Sequence, residues 1–226
     1  MAGPDPARLV VATRNSHKLR ELAEILPGIE LISLADDAEL PPEDGDTFSD
    51  NALIKARAAR ALSGEAAIGD DSGIEARALD GRPGVRSARY AGQDATDEEN
   101  LGKLLVEVAD AGTDRHVAYV CAIALVEATG AESVFEARCE GDLIDAPRGE
   151  GGFGYDPAVV PVDTGPADVR TMAELTPDEK NAISHRGLAA RMLARHLGGG
   201  DVRAAGDPST AGDRCLLYTS PSPRDS

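Results

Sequence analysis

Short apolar runs alternate with helical patterns over the first 70 residues of the chain. Residues 8–13, 29–33 and 66–69 are runs typical of buried strands. Apolar residues recur at helical spacing after Ser16, a predicted N-cap, and after Thr47, which begins a sequence with capping-box spacing. The predicted buried side of the second of these helices consists of Phe48, Ala52, Ala56, Ala59 and Leu62. Because strands connected through helices lie parallel in a sheet, this order predicts an α/β fold.

The second half of the chain has a different order of elements. A helical pattern covers about 96–109, and β-rich stretches near 116–127 and 132–144 flank a Thr129–Gly130 turn. Thr176–Glu179 is a full capping box with proline at the first helical position, so another helix starts there. Since the two arms of a hairpin are antiparallel, we expect a central mixed β-sheet flanked by helices.

One domain accounts for most of the 226 residues. The alternating pattern runs from residue 8 to residue 198, which we take as the domain. Residues 1–7 carry no such pattern and are predicted to be a flexible N-terminus. Residues 199–226 lack apolar periodicity, so we expect a disordered or non-native tail.

Charge and composition exclude several classes of protein. The net charge of −17 would repel a nucleic-acid backbone, so we expect no nucleic-acid partner. No apolar run approaches the roughly 18 residues of a membrane span, and no signal peptide is evident, so no membrane partner is expected. The three cysteines lack metal-type spacing and suit a reducing cytoplasm, where we place the protein: Cys121, Cys139 and Cys215.

The connection between the first strand and the first helix, Thr13–Lys18, is a candidate anion-binding site. The first N–H groups of a helix lack backbone partners, and the helix dipole is positive there. Lys18 stands in the first turn, where the dipole disfavours a cation unless an anion lies between. The chain contains only four lysines among 23 basic residues, which makes this one notable. The alternative is a solvated lysine at a helix start.

Asp70 and Asp71 follow the third predicted strand and precede Ser72-Gly73. Adjacent side chains of an extended chain point to opposite faces, so we expect one aspartate to face a cleft and the other to make structural hydrogen bonds. An aspartate at a strand end near a phosphate site can serve as a Mg²⁺ ligand or a general base. The alternative is a turn that carries solvated acids.

The glycine-rich loop Gly149–Pro157 formally matches G-x-G-x-x-G, but no helix follows it and no βαβ unit surrounds it. A dinucleotide site is therefore rejected. The loop carries Phe153 and Tyr155, two of only seven aromatic residues, and Asp156. These aromatics predict a stacking surface for a planar ligand, unless they simply fill the edge of a core.

Lys180, His185 and Arg186 follow the last capping box. Their spacing does not place them on one face of a single helix. We therefore expect a short helix from Pro177, a break, and a new helix with Ser184 as N-cap, so that the break directs His185 and Arg186 toward the site. The alternative is an ordinary polar helix face.

Taken together, these segments resemble the non-canonical purine NTP pyrophosphatases, the inosine/xanthosine triphosphate pyrophosphatase family. The resemblance spans about residues 8–197, with six motifs in the family's order, and three of the four lysines fall on motif positions. The motifs are Thr13-x-Asn15-x-x-Lys18, Thr47-Phe48-x-x-Asn51-Ala52-x-x-Lys55-Ala56, Asp70-Asp71-Ser72-Gly73, Pro83-Gly84-x-x-Ser87-Ala88-Arg89-Tyr90, Gly151–Pro157 and Ala173–Gly187.

The resemblance implies an elongated two-lobed α/β fold with an active-site cleft between the lobes, a homodimer and a Mg²⁺-dependent reaction. The substrate would be ITP, dITP or XTP, and the products the monophosphate and pyrophosphate, which cleanses the nucleotide pool. Asp71 matches the general base and a metal ligand. The implied substrate-binding residues are Thr13, Arg14, Asn15, Ser16, His17, Lys18, Lys55, Ser72, Phe153, Gly154, Tyr155, Asp156, Lys180, His185 and Arg186.

The sequence departs from the family pattern at Pro42–Gly45, where the family often has Glu-Glu-Thr-Gly and one acid assists the metal. Glu43 is the candidate second metal ligand here. Two other functions stay open: a non-catalytic sensor of ITP-like compounds, and a pyrophosphatase for modified pyrimidine nucleotides. The intact Asp71 argues against the sensor, and the segment Ser184–Arg186 argues against the pyrimidine enzyme.

Overall fold

The computed structural model describes residues 7–13, 15–35 and 38–198. Within them the chain forms a six-stranded sheet of order β2-β1-β3-β4-β5-β6 with flanking helices. The predicted α/β class with a central mixed sheet is confirmed. The strands are β1 (Ala7–Ala12), β2 (Ile29–Ser33), β3 (Ala67–Ala76), β4 (His116–Val126), β5 (Glu132–Leu143) and β6 (Val159–Pro161); the helices are α1 (Ser16–Ile25), α2 (Phe48–Ser63), α3 (Asp97–Ala111), α4 (Pro177–Ile183) and α5 (His185–His196).

Pairing directions follow the connections between the strands. β1 is parallel to both β2 and β3, its helix-linked neighbours, whereas β5 and β6 are antiparallel. The Glu127 N–H donates to the Ala131 carbonyl, and the Leu143 N–H donates to the Arg115 carbonyl, each at 2.9 Å. Both bonds belong to one antiparallel register, so β4 and β5 form the predicted hairpin.

The chain divides into two compact units. Among the described residues, the first unit comprises those up to Asp71, Ala122–Glu136 and residues 189–198; the second comprises Ser72–Cys121 and Ala137–Leu188. One core cluster of the first unit is made of small and β-branched side chains. The second unit has a larger core. Members of these two clusters include Val10, Ala12, Ala59 and Ala67 in the first unit, and Ile74, Leu104, Val117, Tyr155 and Met172 in the second.

Three local expectations need correction. Asn15, rather than Ser16, caps α1, because its side-chain oxygen accepts the N–H groups of residues 17 and 18. Leu62, expected on the buried side of α2, is 55% exposed in the last turn of that helix. The third strand continues to Ala76 instead of ending near Gly69.

In the part of the chain that the structure describes, every helix is too short or too polar to cross a membrane. Of the predicted flexible N-terminus, residues 1–7, Ala7 instead begins β1. Residues 1–6 and the predicted tail, residues 199–226, lie outside the described residues.

Candidate active site

The first candidate region lies at the start of α1, in the first unit. The Asn15 side-chain oxygen accepts from the backbone N–H groups of His17 at 2.9 Å and Lys18 at 3.1 Å. The Asn15 N–H donates in turn to the hydroxyl of Thr13 at 3.2 Å. The N–H groups of His17 and Lys18, which the sequence analysis proposed as donors to an anion, therefore already donate to the Asn15 side chain. Ser16 and His17 are exposed on the first turn, and Arg14 lies outside the described residues.

Asp71 lies in a buried ion pair with Lys55, also in the first unit. The Lys55 Nζ is 2.9 Å from Asp71 Oδ1 and 3.2 Å from Glu43 Oε1, so one ammonium serves two carboxylates. The Lys55 side chain is only 8% exposed. Burial raises the pKa of Asp71, against the opposing effect of Lys55 and Lys18. Although burial acts against its charged form, the carboxylates of Asp71 and Glu43 raise the pKa of Lys55, which therefore stays protonated.

Gly69 allows α2 to pack closely against β3, which places Lys55 beside Asp71. A Cβ at Gly69 would lie 2.2 Å from the Ala52 carbonyl oxygen and 2.8 Å from the Ala56 backbone nitrogen. The backbones of β3 and α2 are therefore in direct contact at this point, which only glycine permits. Lys55, one turn along α2, consequently reaches Asp71, two residues along β3.

Sequence reasoning did not assign Asn51 to the site, although it stands in a quoted motif. Its Nδ2 donates to Asp71 Oδ2 at 3.2 Å, and its Oδ1 accepts the N–H of Gly45 at 2.8 Å. Asn51 is fully buried. It therefore fixes Asp71 and also ties down the segment that carries Glu43. The available signal was its position: Asn51 lies three residues after Phe48 and next to Ala52, on the predicted buried side of the helix, where a polar side chain needs a partner.

The prediction that Asp70 and Asp71 end a strand is wrong, because β3 continues to Ala76. Both lie inside β3, and they are 1% and 6% exposed. Strand alternation still separates them, since Asp71 pairs with Lys55 whereas Asp70 pairs with Lys18. Asp70 therefore does not point away from the predicted phosphate-binding lysines. We call these six residues the lysine–carboxylate cluster: Lys18, Glu43, Asn51, Lys55, Asp70 and Asp71.

The donors around Lys55 suit a hard divalent cation. Glu43 and Asp71 present carboxylate oxygens, the ligands that Mg²⁺ prefers, and both already lie within 3.2 Å of one cationic group. Among the described residues, no group of three or more His, Cys, Asp or Glu side chains is arranged to hold a metal ion. Mg²⁺ commonly takes one or two carboxylates together with substrate phosphates, so the two acids fit that mode.

In the second unit, Asp156 organises the glycine-rich loop. Its Oδ2 accepts from the Lys180 Nζ at 2.8 Å and from the Phe153 N–H at 2.9 Å. Its Oδ1 accepts from the hydroxyl of Tyr119 at 3.0 Å. Burial, with Asp156 adding to it, raises the pKa of Tyr119 well above its ordinary value, so this hydroxyl stays a donor. The carboxylate of Asp156 is thus committed to holding its neighbours.

The predicted helix break before His185 is confirmed. α4 ends at Ile183, Ser184 is extended, and its hydroxyl oxygen accepts the Gly187 N–H at 3.1 Å as an N-cap. A Cβ at Gly187 would lie 2.0 Å from the Asn181 carbonyl oxygen, so the two helices meet where only glycine fits.

The expected side chains lie beside two aromatic rings: Lys180 and Arg186 beside Phe153, and His185 on Tyr119. The ring of His185 stacks on Tyr119, with centroids 4.9 Å apart and planes 8° apart. The Lys180 Nζ lies 5.0 Å from the Phe153 ring centroid, and the Arg186 guanidinium carbon lies 5.8 Å from it. We call this group the Phe153 cluster: Tyr119, Phe153, Asp156, Lys180, His185 and Arg186.

Arg186 is a charged residue with almost no exposure, at 2%. One of its terminal nitrogens donates to the hydroxyl of Ser72 at 2.8 Å. This contact connects the expected substrate residue Ser72 to the Phe153 cluster within the second unit.

The expected stacking surface is smaller than the sequence suggested. Tyr155 is 7% exposed, belongs to the core of the second unit, and donates its hydroxyl to the Ser87 carbonyl at 2.8 Å. Its side chain therefore fills the core edge, the alternative that the sequence left open. Phe153 is half-buried and remains the candidate for stacking, while the Gly154 N–H donates to Asp97 at 2.8 Å.

Fold and side chains together define an α/β protein with two kinds of candidate site. One combines lysines and carboxylates suited to phosphates and a hard cation, and the other places cationic side chains beside a half-buried aromatic ring. Residues 9–196 match the Ham1 family, and the chain belongs to that family. The family expected from the six motifs is thereby confirmed.

Similar proteins cover nearly the same length. The dITP/XTP pyrophosphatase of Geobacter sulfurreducens is 49% identical over 196 residues, which are 84% of this chain and 96% of the relative. The one from Mycobacterium tuberculosis is 46% identical over 194 residues, 82% of this chain and 93% of the relative. A solved HAM1 protein from Coxiella burnetii superposes with a TM-score of 0.77 at 42% identity, covering 86% of this chain and 100% of that one. The dITP/XTP pyrophosphatase structure from Mycobacterium abscessus gives 0.66 at 44% identity, covering 84% and 99%.

Proposed function

We propose that this protein is a nucleoside-triphosphate pyrophosphatase that hydrolyses dITP, XTP and ITP to the monophosphate and pyrophosphate. One observation carries the proposal: a relative 49% identical over 84% of the chain bears the name dITP/XTP pyrophosphatase. The buried pair of Lys55 and Asp71 and the cations beside Phe153 supply chemistry that this reaction needs. Mg²⁺ dependence, a homodimer and a cytoplasmic location belong to the same proposal.

Within the first unit, the lysine–carboxylate cluster would bind the triphosphate. Lys18 and Lys55 supply positive charge, and Thr13–Lys18 supplies the helix start. Glu43 and Asp71 would hold Mg²⁺, which neutralises charge on the phosphates. Asp71 would take a proton from the attacking water; the water oxygen bonds to the α-phosphorus, the bond to the bridging oxygen breaks, and pyrophosphate leaves.

Within the second unit, the Phe153 cluster would bind the purine. The ring of Phe153 offers a stacking face. Because the N–H groups of Phe153 and Gly154 already donate to carboxylates, the donors for a 6-oxo group would be the side chains of His185 or Arg186. The 6-amino group of ATP is itself a donor and would leave such a donor unpaired, which rejects the wrong base by orders of magnitude.

Product analysis tests the proposal. Purified protein is incubated with dITP, ITP, XTP, dTTP and ATP in Mg²⁺, and the nucleotides and phosphates are separated. We expect monophosphate and pyrophosphate from the 6-oxopurine substrates and little turnover of dTTP or ATP. Release of a diphosphate with orthophosphate would refute it, and binding without turnover would support the sensor instead.

A further inference from the structure

The glycine-rich loop that carries Phe153 has little stiffness of its own. Gly152 and Gly154 flank Phe153 and adopt left-handed φ values of +72° and +63°, which glycine reaches without strain. The position of the ring therefore depends on bonds from outside the loop backbone. Asp156, already described, supplies one of them at the Phe153 N–H.

A second bond comes from a residue that the proposed function does not use. The Gly154 N–H, next to Phe153, donates to Asp97 Oδ2 at 2.8 Å. Asp97 is the first residue of α3 and is exposed, so its side chain is not needed to fill a core. A bond from an amide to a charged acceptor is stronger than one to a neutral acceptor.

The start of α3 is itself held in place. Thr96 and Glu99 form a complete capping box. Asn100 accepts the Ala91 N–H at 2.8 Å and donates to the Ala88 carbonyl at 3.3 Å. These bonds fasten α3 to the segment Pro83–Tyr90, the one family motif that carries no predicted site residue. The motif therefore supports the helix end that bears Asp97.

We propose that Asp97 is a positioning residue that sets Phe153 for stacking on the purine, a role that rests on the proposed function. Acting through the Gly154 amide, it does not touch the reacting atoms. Its loss would loosen the stacking face while leaving the lysine–carboxylate cluster intact. The expected kinetic signature is a higher KM with little change in kcat.

Steady-state kinetics of Asp97→Ala with dITP tests the role. Glu98→Ala is the matched control, since it removes a neighbouring exposed carboxylate from the same helical turn. We expect the KM of Asp97→Ala to rise about fivefold, the scale of one partly exposed bond to a charged group, with kcat and Tm like those of the control. Asp97→Asn retains an acceptor oxygen and should restore most of the affinity. Equal KM values for Asp97→Ala and Glu98→Ala would overturn the proposal.

A readout without substrate separates this proposal from the proposed function. The chain contains no tryptophan, so Phe153→Trp introduces a single reporter on the loop. Adding Asp97→Ala to that variant should lower the fluorescence anisotropy of the indole, whereas Glu98→Ala should not. Unchanged anisotropy overturns the role of Asp97. Failure of the unaltered protein to hydrolyse dITP would instead overturn the proposed function.

Discussion

A single methyl group at Gly152 tests whether the Asp156 carboxylate organises the glycine-rich loop. A Cβ at Gly152 would lie 2.1 Å from Asp156 Oδ2, well inside van der Waals contact. Either the carboxylate or the loop must then move. Because Oδ2 accepts from both Lys180 and Phe153, the Gly152→Ala variant would weaken both bonds.

The size of the effect follows from these contacts. Hydrogen bonds to charged groups contribute about 1.5–3 kcal/mol each, and two of them are displaced. An alanine in the left-handed region adds strain of roughly 1–2 kcal/mol. Gly154→Ala is the control, since φ there is +63° but a Cβ would meet nothing within 4 Å. The control has the strain alone, so we expect Gly152→Ala to unfold with about 3 kcal/mol less stability than Gly154→Ala.

Urea unfolding of the two variants measures this difference directly. Because Lys180 and Phe153 belong to the proposed purine site, Gly152→Ala should also raise the KM for dITP above that of Gly154→Ala. If the two variants unfold at the same urea concentration, the Asp156 carboxylate does not hold the loop as argued.

Further substitutions test the remaining contacts. Asp71→Asn should lower kcat about 100-fold, because it removes the proposed base. Asp70→Asn should mainly lower the free energy of unfolding, by about 2–3 kcal/mol, because it breaks the ion pair with Lys18. Comparable losses in kcat for the two variants at unchanged stability would refute this distinction. Lys55→Met leaves two carboxylates without their shared ammonium, and its unfolding midpoint in urea should fall. Tyr119→Phe keeps a ring stacked on His185 and should preserve the ratio of kcat/KM for dITP to that for dATP, whereas Tyr119→Leu should reduce this ratio about fivefold. The same ratio in both variants would contradict the stacking role of Tyr119.

Local signals predicted much of the fold. The helix starts at Thr47 and Thr176 and the break at Ser184 could be predicted from the sequence, because capping groups act on residues within the same turn. The hairpin of β4 and β5 could be predicted for a similar reason, since the Thr129–Gly130 turn lies within one short segment.

The burial of Asp70, Asp71 and Tyr155 could not be predicted, because it depends on partners that are distant in the sequence. Asp-Asp-Ser-Gly is typical of a turn, yet it lies in a strand because Lys18 and Lys55 neutralise the two aspartates. Likewise, Tyr155 was predicted to stack on a ligand because it is an aromatic residue in a glycine-rich loop. Its hydroxyl instead donates to the carbonyl of Ser87, which is distant in sequence and comes within reach only after folding. Their burial therefore required tertiary information.

The buried state of three lysines has a practical consequence for covalent labelling. The side chains of Lys18, Lys55 and Lys180 are 14%, 8% and 9% exposed. That of Lys103, which pairs with Glu107 at the surface, is 41% exposed. An acylating reagent must reach the amine nitrogen, and a lysine side chain with so little exposure offers it poor access. Apart from the N-terminal amine, a dye ester or biotin ester should therefore attach at Lys103 on α3, which leaves the lysines of the two proposed substrate sites unlabelled.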